Sequence, residues 1–134
     1  MLNCPAPLGR GALTGTLKSP EDIPKGDFRC NIPRFQGENF EANAKLWKEV
    51  EKLAQNKGCT PAQIAIGWLL ALSRRPGMPK IIPIPGSTKV ERVRENAKEV
   101  ELTDDDMAVI DRILAEFPVI GERYGAAGMA LLDE

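Results

Sequence analysis

A parallel α/β arrangement is the fold class this chain predicts, on three observations. Its elements run strand, long irregular segment, helix, helix, strand, helix, helix, tail; the strand Lys80 to Ile84 is rich in β-branched residues; and the second helix is apolar nearly all round. Only two strands can be read, and two parallel strands neither close a barrel nor make a covered sheet. The chain is therefore expected to be part of something larger.

Taken in order, Met1 to Gly15 crowds Pro and Gly around Leu8, Ala12 and Leu13, and reads as a strand end entering a glycine-rich loop. Gly9, Gly11 and Gly15 would let backbone approach a ligand closely, although such turns also serve plain backbone geometry. From Thr16 to Asn39 no regular period appears, and a stretch of that length is usually a lid, a binding segment or disordered. From about Phe40 to Asn56, Leu46, Trp47, Val50, Leu53 and Ala54 form one apolar stripe, with Gly58 as the stop. Thr60-Pro61 reads as an N-cap and first-turn proline, and Ile64 to Leu72 predicts a helix buried on several sides, with Trp68 as packing. After Arg74-Arg75-Pro76-Gly77 come the strand Lys80 to Ile84 and a third helix, whose inner stripe is expected to be Val90, Val93, Ala97 and Val100. Thr103 with Asp106 is a capping box, Asp104 and Asp105 complement the helix dipole, and Met107, Ile110 and Leu114 supply the inner face. A metal site at Asp104 to Asp106 is the weaker alternative, since adjacent helical residues point in different directions. The remainder holds the sole tyrosine, Tyr124, and a short helix from about Ala126.

Composition excludes several classes of function. Basic and acidic residues are interspersed and the net charge is -1, which leaves little of the electrostatic attraction that nucleic-acid binding needs. The longest apolar window, Ile64 to Leu72, is far short of the roughly 20 residues of a membrane span, and no secretory h-region precedes Pro5; the expected setting is cytoplasmic. Cys4, Cys30 and Cys59 show no CxxC spacing and are expected as reduced thiols. There is no histidine, so Ser/His and Cys/His nucleophilic machinery is absent from this chain.

The run from Ile81 to Asn96 carries the chemistry. A strand leaving through Gly86 and Ser87 into a helix exposes unpaired backbone N–H groups, and these with the helix dipole attract phosphate. Lys89, Arg92 and Asn96 follow at i, i+3 and i+7, directing cations and an amide to where a phosphorylated nucleoside could lie. The same pattern also fits the solvated face of an ordinary helix.

Pro7-Leu-Gly-Arg-Gly-Ala-Leu-Thr-Gly15, Asp27-Phe-Arg29, Pro33-Arg-Phe-Gln-Gly-Glu-Asn39, Thr60-Pro-Ala-Gln-Ile-Ala65 and Ile84-Pro-Gly-Ser87 through Glu95-Asn96 resemble the aldo-keto reductases, especially their pyridoxal-reductase-like microbial and fungal branch. The resemblance runs from Pro7 to Tyr124. It implies that residues 1–134 are the C-terminal segment of an oxidoreductase domain: the last part of a (β/α)8 barrel, incomplete alone, that binds NADPH across the C-terminal ends of its strands. By the same resemblance, Pro7, Leu8, Gly9 and Gly11 face the pyrophosphate and Arg29 lies in a belt over the cofactor. The resemblance likewise makes Gly86, Ser87 and Thr88 the adenosine-phosphate turn, and implies that Arg92 holds the 2′-phosphate or packs beside the adenine and that Glu95 and Asn96 contact the adenine amino group and ring.

The family's catalytic aspartate, tyrosine, lysine and histidine lie on earlier strands, so no catalytic residue is expected here and none that binds metal. Pro5 stands where an aromatic residue usually stacks on nicotinamide, and Thr16 replaces a frequent lysine. The complete enzyme is expected to reduce an aldehyde or ketone, and this chain alone to be inactive without a complementary N-terminal barrel portion. The alternatives are a non-catalytic NADPH-binding regulatory protein, like the potassium-channel β-subunits that share the barrel, and a non-functional truncated product.

Overall fold

In the structure, a computed structural model that describes residues 1–131, the two expected strands are hydrogen-bonded neighbours. Strand β1 (Leu2–Pro5) lies parallel to β2 (Ile81–Ile84), with Leu2 opposite Ile81 and Pro5 opposite Ile84. The Leu2 N–H adds a 2.7 Å bond to the Lys80 carbonyl, and the Ile81 N–H bonds the Ser73 hydroxyl at 2.9 Å.

Between the strands, four short 3-10 turns lead into α1 (Gly37–Lys57) and α2 (Pro61–Ser73). Helix α1 stops at Gly58, whose φ of 66° is the left-handed C-cap that glycine adopts without strain. Its buried stripe includes Leu46, Trp47, Val50, Leu53 and Ala54, the residues that the 3.6 period selects. Trp47 packs edge-on to Phe40, with centroids 5.1 Å apart, and obliquely to Phe35 at 6.1 Å. The Thr60 hydroxyl and Gln63 side chain close the capping box of α2. In α2 burial is confined to Ala62 through Gly67; Trp68 to Leu72 are only half-buried, a shallower burial than the run of apolar residues predicts. Trp68 packs against the core, and its indole N–H is buried without a partner among the described residues.

Helix α3 spans Val90–Ala97 and α4 spans Asp104–Glu116, the latter opened by the expected Thr103 and Asp106 box. Asp106 also binds Lys57 of α1 at 2.6 Å, which docks α4 on α1. A short α5 (Ala126–Ala130) follows. Core residues from the irregular segment, Leu17, Ile23 and Ile32, join those of α1, α2 and α4 in one cluster.

Two expectations on burial are corrected. Val90 is 60% and Val93 52% exposed, and Ala97 is exposed too; of the stripe assigned to α3 only Val100, beyond the helix end, packs on the core. The period selects one face, but α3 is held by polar bonds from Glu95 to α2, and its valine face is left uncovered. Leu114 of α4 is likewise exposed, while Met107 and Ile110 are buried; toward the end of the helix it is Ile113 and Phe117, not Leu114, that pack against the core. Among the described residues no helix is long and apolar enough to cross a membrane.

Candidate functional site

The turn after β1 has unusual backbone. Ala6 and Arg10 take left-handed φ values of 53° and 59°, as do Gly9 and Gly11 at 58° and 93°. Left-handed non-glycine residues are uncommon and persist where surrounding structure holds them. The N–H groups of Gly9 and Gly11 close this turn onto the carbonyls of Ala6 and Leu8. Gly11 contributes by what it lacks, since a Cβ there would sit 3.2 Å from the Arg29 guanidinium in strained backbone.

Arg29 is locked from both sides. Its Nε and Nη2 donate to the Asp27 carboxylate at 3.0 and 2.9 Å, and its Nη1 donates to the Arg10 carbonyl at 3.2 Å. These guanidinium bonds, joined by one from the Arg29 backbone N–H, hold the Asp27 carboxyl down at about 2. The irregular segment is thereby fastened to the turn after β1.

Arg10 also faces away from that turn. Its guanidinium lies 4.5 Å from the Tyr124 ring centroid and 5.2 Å from that of Phe28, and donates to the Arg123 carbonyl at 2.9 Å. Tyr124 is therefore a stacking partner. Asn43 of α1 ties down the same tail: its amide donates to the carbonyls of Arg34 and Ile120 at 3.0 and 2.8 Å, and its oxygen accepts the Ile120 N–H at 2.8 Å.

At the end of β2, the Ser87 hydroxyl accepts the Lys89 N–H at 3.1 Å and donates back to the Lys89 carbonyl at 3.2 Å. Lys89 is the N-cap of α3, so it precedes the helical face on which it was expected. Arg92 is exposed and has no ion-pair partner among the described residues. Glu95 is held by α2: its Oε1 accepts from the Thr60 hydroxyl at 2.7 Å and its backbone carbonyl accepts from the Gln63 amide at 3.1 Å.

These pieces surround one cavity of about 600 Å³ at the C-terminal ends of both strands. Nine of the eleven candidate residues line it: Pro7, Leu8, Gly11 and Arg29 from one side, and Gly86, Ser87, Arg92, Glu95 and Asn96 from the other. Gly9 instead lines a neighbouring apolar cavity of about 340 Å³ beside Trp47 and Trp68, and Thr88 lines neither. Residues that sequence reasoning missed as liners include Arg10, Thr14, Thr16 and Thr60. Thr14 bonds the Gly11 carbonyl at 2.7 Å and the Thr16 hydroxyl at 2.8 Å, forming a hydroxyl rim. The sequence marks Thr60 as a cap and as part of a family-like motif, and nothing local announces its bond to a residue 35 positions away. Among the described residues no cluster of His, Cys, Asp or Glu is placed to hold a metal ion, and Asp104 to Asp106 serve as the start of α4.

The cavity offers a cation unpaired among the described residues, hydroxyl groups, a carboxylate and an amide at one end, and a locked guanidinium and glycine backbone at the other. The aldo/keto reductase family model matches residues 2–115. An aldo-keto reductase of Schizosaccharomyces pombe, yakc, whose name specifies NADP(+), is 43% identical over 134 residues, which cover 97% of this chain and 38% of the relative. A Saccharomyces cerevisiae protein named as a pyridoxal reductase is 41% identical over 133 residues, covering 92% of this chain and 39% of that one. The solved glycerol dehydrogenase of Gluconobacter oxydans superposes with a TM-score of 0.70 at 31% identity, over 88% of this chain and 35% of its own. The chain thus spans under two fifths of the length of these relatives. With the family model covering most of its residues and a barrel enzyme matching its fold, the chain belongs to the aldo/keto reductase family and forms the C-terminal portion of a (β/α)8 barrel.

Proposed function

We propose that residues 1–134 are the nucleotide-binding segment of an NADPH-dependent aldo-keto reductase domain, whose complete form reduces an aldehyde or ketone to an alcohol. The observation that carries this is the 600 Å³ cavity, where two strand ends converge nine residues of matching chemistry. In this reading Ser87 and Arg92 hold the 2′-phosphate, Glu95 accepts from the adenine amino group, and Asn96 lies along the ring. Pro7, Leu8 and Gly11 shape the pyrophosphate turn, and Arg29 supplies its cation. Gly9 and Thr88 enter only as backbone of their turns. Bound NADPH would supply a hydride to the carbonyl carbon. The proton donor would come from other strands of the barrel, since the sole tyrosine here, Tyr124, is stacked on Arg10. Those strands are the natural partners of the two free sheet edges. A cytoplasmic setting goes with the free thiols of Cys4, Cys30 and Cys59.

Calorimetric titration of the chain with NADPH and NADH tests the reading. One charge-assisted contact to a phosphate is worth about 1.5–3 kcal/mol, and the exposure of Arg92 puts its share at the lower end. Arg92→Ala is expected to weaken NADPH binding about tenfold and to leave NADH binding nearly unchanged. Equal loss for both nucleotides, or no NADPH binding by the unaltered chain, overturns the assignment. Reduction of aromatic aldehydes by the chain alone, at ordinary enzymatic rates, would refute the part that places the proton donor elsewhere.

A further inference from the structure

We infer that Thr60 and Gln63 are positioning residues for nucleobase recognition: the capping box that starts α2 also aims the Glu95 carboxylate into the cavity. The inference rests on the adenine role given to Glu95 above. Packing alone does not fix the rotation of α3, because its Val90 and Val93 are solvent-exposed. Polar bonds to α2 do so instead. The Thr60 hydroxyl has one proton, and it goes to Glu95 Oε1 at 2.7 Å; its lone pairs accept the Gln63 N–H at 3.3 Å. Gln63 is 7% exposed, and its side chain is used at both ends: the oxygen accepts the Thr60 N–H at 3.1 Å and the nitrogen donates to the Glu95 carbonyl at 3.1 Å. Flipping that amide would lose both bonds, so cap and clamp are one rigid unit.

The arrangement leaves Glu95 with one carboxylate oxygen occupied and the other without a partner among the described residues. A glutamate free to rotate would lose rotamer freedom when it met an amino group; one held by Thr60 has already lost it. Thr60 lines the same cavity as Glu95, so the clamp stands at the binding surface. Beyond it, the Arg74–Glu99 ion pair joins the end of α2 to the segment after α3.

The test compares dissociation constants of the full chain for NADPH and for the analogue in which hydrogen replaces the adenine 6-amino group. The unaltered chain is expected to favour NADPH about tenfold, as a hydrogen bond to a charged acceptor predicts, and Glu95→Ala to abolish that preference. Thr60→Val should reduce it to within about twofold, while Thr60→Ser, which keeps the hydroxyl, should retain it. Thr60→Gly guards against a folding defect, because glycine is a serviceable N-cap; it should behave as Thr60→Val does. A merely structural role for Thr60 would weaken both ligands alike and leave the ratio unmoved. An unmoved ratio in Thr60→Val and Thr60→Gly, with the Glu95→Ala effect intact, overturns the positioning role and spares the adenine assignment. A ratio insensitive to Glu95→Ala, or the absence of any preference in the unaltered chain, overturns both.

Discussion

Replacing Asn43 by Leu removes a polar crossbrace while nearly conserving volume. Asn43 is 1% exposed and joins α1 to the Arg34 carbonyl and to both backbone groups of Ile120 through three hydrogen bonds. Each such bond contributes about 0.5–1.5 kcal/mol net, and an abandoned buried partner costs about 1–3 kcal/mol more. Ile120 lies at an exposed position, where water can recover its two groups, so the lower part of that range applies there. Arg34 is half-buried, so its carbonyl recovers water less readily. Together these give a loss of about 3 kcal/mol. Urea unfolding followed by circular dichroism measures it, with the slope unchanged if only the native state is affected. Hydrogen exchange at the Ile120 amide supplies the local check. A loss under about 1 kcal/mol, with that amide still protected, would refute the crossbrace.

Gly67→Ala tests the fit between α2 and the segment before α4. A Cβ there would lie 2.8 Å from the Val100 carbonyl oxygen and 3.4 Å from Leu102 Cγ, so the strain should outweigh the helix-propensity gain of about 1 kcal/mol; a higher melting temperature would contradict the packing described. Asp27→Asn probes the fastening of the irregular segment. The folded pKa of Asp27 is depressed to about 2, so its contribution is present above the unfolded value and fades as pH falls toward 2. The gap in melting temperature between wild type and variant should therefore be open at pH 6 and close as pH 2 is approached; a constant gap would show that the Arg29 pair is not its source.

What could be read in the sequence was what neighbours along the chain decide. The boxes at Thr60 and Thr103 involve residues three positions apart, and β2 is announced by its isoleucines, so these elements stand where expected. Both halves of the candidate cavity were legible too, because each is a short contiguous motif after a strand. Contacts that join distant segments were not. Asn43 reaches Ile120 across 77 positions and Thr60 reaches Glu95 across 35, and an asparagine in a helix or a threonine at a cap looks the same with or without such a partner. The left-handed turn after β1 was half visible, in Gly9 and Gly11; its other members, Ala6 and Arg10, are residue types that carry no such signal. The exposed valines of α3 illustrate the converse, a pattern correctly periodic with nothing in this chain to lie against it.

The parallel pairing of Leu2 with Ile81 bears on how the polypeptide is made. Strand β1 leaves the ribosome about 80 residues ahead of β2, and at ordinary translation speeds the ladder groups that face that mate stay bare for several seconds. Two helices can coil and dock in that interval, whereas the strand cannot be completed until nearly the whole loop has been closed. Prolines at positions 5 and 7 shorten the stretch able to recruit a stray strand while it waits, since neither offers an N–H to a passing chain. The segment that shapes one wall of the nucleotide cavity is thus synthesised well before the strand that secures it.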